Sequence, residues 1–153
     1  MADNVTGEED LIRKLRNLKS GVGSGMSQVV LAGAFVLEGF IKQSMQEGHH
    51  GRIYTRGGNR NRHGGGGRPH QASAPGETPA VDYGALLNSI QSSLLNGESA
   101  QVGTNAEAAP SLELGTAFME ARPFMRPVVD EHTNEVSNAM GLTAVRLIEE
   151  ALR

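Results

Sequence analysis

Between residues 48 and 84 the chain has no sustained hydrophobic period, and no other feature limits its possible folds so strongly. The stretch carries ten glycines and three prolines. Its first part, HHGRIYTRGGNRNRHGGGGRPH (49–70), holds five arginines, four histidines and seven glycines without one acid. Connections of this length inside a compact domain are uncommon and are either functional or linkers, so the segment reads as a long arm. Within it, GRIYT (51–55) has the composition of a short strand, and Pro69, Pro75 and Pro79 favour an extended backbone for the rest.

Periodic segments flank the arm. Thr6 with Glu9 forms a capping box ahead of Leu11, Ile12, Leu15 and Leu18, which predicts a helix over 7–19. KSGVGSG (19–25) then reads as an inter-helix loop. Its glycines do not make a phosphate loop, because no strand precedes them and no Lys-Ser or Lys-Thr pair follows. Val29, Val30, Ala34, Leu37, Ile41 and Met45 predict a second helix over 25–47, ended by Gly48, and Ala32, Gly33, Ala34 and Gly39 would allow close packing against another helix. Beyond the arm, Asn96-Gly97 marks a hairpin turn between strands at 89–95 and 99–104. A short helical turn over 106–114 is stopped by Gly115. Val128, Val129, Val136, Met140, Ala144, Leu147, Ile148 and Leu152 predict a last helix over 124–152, with Pro127 in its first turn and a bend at Gly141. The expected fold is α+β in a single domain: two amino-terminal helices, a small antiparallel sheet, the long exposed arm at 48–84, and a long carboxy-terminal helix across the sheet.

At 153 residues one core is expected, and a hydrophobic content of 38% without tryptophan makes it a modest core helped by subunit contacts. The absence of cysteine excludes disulfides, thiol catalysis and thiolate metal sites. The longest apolar run, 29–41, contains Glu38 and is shorter than a membrane span, so it reads as a buried helix and no membrane partner is expected. The acidic start MADNVTGEED lacks the features of a signal peptide, which makes the cytosol the expected place of synthesis and residence. The net charge of −3 conceals a division: outside 49–70, nine basic residues face seventeen acidic ones.

Little reactive chemistry is legible. No nucleophile elbow occurs, and the adjacent Asp130, Glu131 and His132 point apart on a helix and read as a solvated face, as do Glu149 and Glu150. No enzyme activity is expected. His49, His50, His63 and His70 are the only metal candidates, but five neighbouring arginines repel a cation, so neither metal nor cofactor is expected. TRGGNRNR resembles an RGG segment, in which arginines pair with phosphates and stack on bases. Arg52, Arg56, Arg60, Arg62 and Arg68 would supply the charge and Tyr54 alone the aromatic platform, enough for weak, salt-sensitive contact with genomic DNA or another nucleic acid. An acidic protein surface would use the same charges, and the rest of this chain offers one.

Four motifs carry a resemblance. Ser73 to Ile90 read SAPGETPAVDYGALLNSI, Val102 to Thr104 read VGT, Glu113 to Thr116 read ELGT, and Ala121 to Val128 read ARPFMRPV. In this order they resemble the neck, or tail-component, proteins of long-tailed phages typified by gene product ten of HK-97-type phages. There the corresponding patterns are SAPGEPPAVDTGxLxxSI, VGT, EFGT and ARPFLRPA. Tyr83 stands here where threonine is usual, and AEAAPSLELGT lacks the tyrosines common before the turn. The resemblance covers roughly residues 50–150. It implies a virion structural protein, assembled in the host cytoplasm into a ring, expected to be a hexamer. That ring would join head to tail or complete the tail beside other neck and tail proteins, with a tail terminator capping the tube as the nearest alternative. The residues agree in kind: Pro75, Gly76, Pro79, Asp82 and Gly84 shape turns and extended chain, Gly115 stops a helix, and Pro123, Phe124 and Pro127 lead into the last one. Arg122 and Arg126 are expected to anchor Glu113 or a neighbouring subunit, or to stand in solvent.

Overall fold

The structure is a computed structural model that describes residues 8–56 and 68–152. Thr6 and the arm residues Arg60, Arg62 and His63 lie outside the described residues. The fold is α+β. In chain order it comprises α1 (Glu8–Ser44), β1 (Ile53–Arg56), β2 (Arg68–Gln71), α2 (Ala85–Ser89), β3 (Ile90–Asn96), β4 (Ser99–Thr104), α3 (Ala109–Leu114) and α4 (Arg126–Leu152). Two compact units form, one from Met1–Val36, Ser92–Val102 and Thr133–Arg153, the other from Leu37–Gln91 and Gly103–His132.

Most of both expected amino-terminal helical spans is helical, the second ending at Ser44 and not at Gly48, but the loop expected between them is not a loop. Residues 19–25 continue the helix, so α1 is a single element of 37 residues. The reason lies in packing. In the first unit Gly21, Gly25 and Gly33 share a face, and side chains built there would meet Ala151, Leu147, and Met140 with Val136, respectively. The missing Cβ atoms let α4 lie antiparallel along α1, and that close approach offsets the helix-weakening entropy of glycine. α1 is thus the neighbour that meets the inner face of α4 in this unit. Gly97 in the β3–β4 turn receives a hydrogen bond from Ser27 Oγ at 3.1 Å. That turn forms where Asn96-Gly97 predicted it, with Asn96 Oδ1 accepting the Glu98 N–H at 2.9 Å.

The second unit holds the deepest core. Ile41, Met45, Ile90 and Phe124 are fully buried, with Ala109 and Val128 beside them. α4 begins at Arg126 with Pro127 in its first turn, where no N–H is needed, as expected. Its irregularity falls at His132 (φ −105, ψ 17), not at Gly141. His132 is not on a solvated face: it is half-buried, and its ring stacks on Phe40 with centroids 3.8 Å apart and planes 2° from parallel.

The segment Gly25–Ser44 is long and apolar enough to cross a membrane by length and composition, extending the run read from sequence. It is not the buried helix expected, since only 28% of it is buried. Ala34 and Ile41 face inward while Phe35 is 57% exposed.

Candidate functional site

The arm is anchored as a hairpin. β1 and β2 pair antiparallel with Ile53 opposite Gln71, Tyr54 opposite His70, Thr55 opposite Pro69 and Arg56 opposite Arg68. Sequence reasoning found β1 but left 68–71 as extended chain because of Pro69. A two-stranded sheet has only edges, and an edge position tolerates a residue without an N–H. The pairing continues past the strand ends through the Ala72 N–H to Arg52 O bond at 3.1 Å. A Cβ at Gly51 would stand 2.4 Å from Ala72 O, so only glycine fits that crossing. Arg52 lies over the Tyr54 ring at 5.5 Å, and both are exposed. The two strands that lead to and from residues 57–67 are therefore paired with each other.

Below the hairpin the four motifs of the sequence join into one connected set. Ala74 to Glu77 form a turn closed by the Glu77 N–H to Ala74 O bond, with Pro75 second and Gly76 third at φ 83, the arrangement a type II turn demands. Gly76 N–H then donates to Ala121 O at 3.0 Å, tying this turn to the ARPF segment. Ser89 and Thr104 hydroxyls lie 2.6 Å apart, which joins the end of the first motif to VGT. Gly115 adopts φ 75, and a Cβ there would meet the backbone of Ala121 and Met119 at 2.9 and 3.0 Å. The three glycines with positive φ among the described residues, Gly76, Gly84 and Gly115, all lie in the matched motifs.

Glu113 completes this set, though not as expected. Its partners are the backbone N–H groups of Phe124, Met125 and Arg126, at 2.8, 3.1 and 2.9 Å, not the Arg122 or Arg126 side chains. The carboxylate thus answers the free amides at the start of α4, where negative charge is favoured. Arg126 is exposed. Arg122 is half-buried, its Nε shielded from water and without a hydrogen-bond partner. It borders a cavity of about 410 Å³ shared with His70, Asp82, Tyr83, Leu86 and Leu112. Asp82 Oδ1 lies 3.9 Å from His70 Nδ1, while Pro79 is buried in the same wall.

Glu77 is the residue sequence reasoning missed. Its Oε2 accepts the Ala74 N–H at 2.7 Å and the His50 N–H at 3.1 Å, and its Oε1 lies 2.8 Å from His50 Nδ1. The Ala74 amide, then the His50 amide and ring, hold the carboxyl well below its ordinary 4.5, at about 2. The bond back to the residue three positions earlier is half of a capping box, but alanine stands where the signature needs a hydroxyl. Thr78 Oγ1 donates to Ser44 O at 2.8 Å, fastening the same loop to the end of α1. Arg56 and Arg68 occupy the strand ends nearest the tip, while Arg60 and Arg62 lie outside the described residues. Among the described residues no cluster of three or more His, Asp or Glu forms a metal site. Comparison with protein-family models, with curated proteins and with solved structures gives no match to this chain.

Proposed function

We propose that this chain is a structural protein of a phage neck, assembling into a closed ring, expected to be a hexamer, that joins head to tail or completes the tail. The observation that carries the reading is the uncovered apolar surface of the first unit. Among its described residues Ala34 is the only buried hydrophobic side chain, while Leu11, Leu15, Phe35, Leu95, Leu142 and Val145 are all more than half exposed. A helix pair with so little interior of its own gains its burial from neighbours, as large exposed apolar patches commonly do.

The four matched motifs support the same reading. They are spent on turns, a helix stop and a helix cap, which hold shape and do not form a reactive group. The arm supports it as well, since a basic tip on a fixed hairpin base is suited to lie on the acidic surface of an adjacent subunit or neck protein. Light scattering and native mass measurement of the purified full chain test the proposal, together with the position of the chain in virion images. A discrete closed oligomer is expected. A monomer that shifts bare DNA or RNA in a salt-dependent manner would replace this reading with the nucleic-acid one.

A further inference from the structure

Phe118 is the most exposed large hydrophobic side chain among the described residues, at 101%. Its backbone is held in place. Thr116 and Met119 exchange both backbone hydrogen bonds, at 2.8 and 3.3 Å, which closes a two-residue turn over Ala117 and Phe118. Thr116 Oγ1 also accepts the Phe118 N–H at 3.2 Å, and Gly115 lies close against the backbone of Met119 and Ala121 at the foot of the turn. An aromatic ring held in water on a fixed turn has little ordering left to lose on docking, and would bury about 150–250 Å².

The same unit carries an open hollow of about 470 Å³, bordered by Gly103, Ala106, Ala109, Pro110, Leu114 and Met125. Leu114 on its border is itself largely exposed. Gly103 lies in β4 without a left-handed φ, and a Cβ built on it meets nothing within 4 Å among the described residues. Neither backbone conformation nor a described neighbour asks for glycine at that position. Close approach by another chain is a physical reason for glycine inside a strand.

We infer that the Phe118 turn of one copy plugs the hollow beside Gly103 in the next copy. A knob and a hollow at different places on one chain make a head-to-tail contact, the type that closes into rings. The inference rests on the ring reading, since its guest is a second copy, and it names a contact within that ring. A single plugged ring is smaller than the about 1,200–2,000 Å² of a stable interface, so Phe118 acts as a hot spot in a larger contact. The exposed apolar side chains of the first unit contribute further area.

Sedimentation of the full chain over a concentration series, joined to disulfide trapping, tests the plug. Phe118→Ala and Gly103→Val should each weaken self-association at least tenfold and leave helix content unchanged, because one trims an exposed ring and the other fills open space. The chain has no cysteine, so an introduced pair reports one contact. Copies carrying Ala117→Cys, mixed with copies carrying Asn105→Cys or Pro110→Cys on the exposed rim, should oxidise to mixed disulfides that neither kind forms alone. Such a bridge needs Cα atoms within about 7 Å. Should Gly103→Val not fold, Phe118→Ala and the mixed disulfide decide. A wild type that stays monomeric at every concentration would overturn the ring reading and the plug together. An oligomer whose mass and affinity survive in both variants, with no mixed disulfide, overturns the plug alone. Variants that assemble normally yet fail to join virions assign Phe118 to a different protein, which also overturns it.

Discussion

Glu113 Oε2 accepts the backbone N–H of Phe124 at 2.8 Å, across eleven residues of chain. The same carboxylate also takes the next two amides. One side chain thereby sets where α4 begins and fixes the buried Phe124 ring in the core of its unit. Glu113→Ala leaves three amides without their charged acceptor and should lower stability by about 2–4 kcal/mol. Glu113→Gln, which still offers one carbonyl oxygen, should lose less. Urea unfolding of the two variants beside wild type checks the order.

Glu77 predicts an acid limb of stability. Its carboxyl is depressed from 4.5 to about 2 in the folded chain, so the unfolded chain binds the proton more readily. The stabilisation is complete above the unfolded value and is lost as pH falls from about 4.5 toward 2. Unfolding midpoints measured across that range should fall more steeply for wild type than for Glu77→Gln. Equal slopes would remove Glu77 from the account.

The glycines of α1 should divide into two kinds. A Cβ at Gly33 would stand 2.7 Å from Met140 Cγ, whereas one at Gly39 meets nothing within 4 Å. Gly33→Val should cost about 1–3 kcal/mol by forcing the helices apart. Gly39→Ala should stabilise by about 0.4–1 kcal/mol through the unfolded chain. Thermal scans of the two variants give opposite signs if α4 lies against α1 as described.

Leu142, 73% exposed, and Val145, 54% exposed, stand one helical turn apart on the outside of α4. Leu142→Glu with Val145→Glu should reduce the assembled mass to that of the monomer while leaving helix content unchanged. Light scattering with circular dichroism reads both quantities.

The arm can be removed without disturbing its base. Arg56 and Arg68 are directly opposite, so replacing 57–67 by Asn-Gly closes the hairpin with a two-residue turn. The variant should keep the wild-type unfolding midpoint and fail to assemble or to join virions. Unchanged assembly would take the arm out of the interface.

Much of this architecture is local and therefore legible in the residues. Asn96-Gly97 specifies its turn, Gly76, Gly84 and Gly115 take the positive φ that their neighbours cannot, and the apolar stripe of α4 sets its span. What the sequence could not declare depends on partners distant along the chain. Gly21 and Gly25 are helix-weakening by intrinsic preference and helical here because Ala151 and Leu147 lie against them. Pro69 showed extended chain but no partner for it until β1 offered an edge. His132 looked solvated until Phe40 stacked on it, and Glu113 looked like a partner for arginines until α4 presented three free amides. The sequence by itself determined the α+β class and where its turns fall, because propensity and φ act within a few residues. Tertiary structure alone decided the unbroken α1, the anchored arm and the Arg122 cavity, because each depends on groups that only folding brings within a few ångströms.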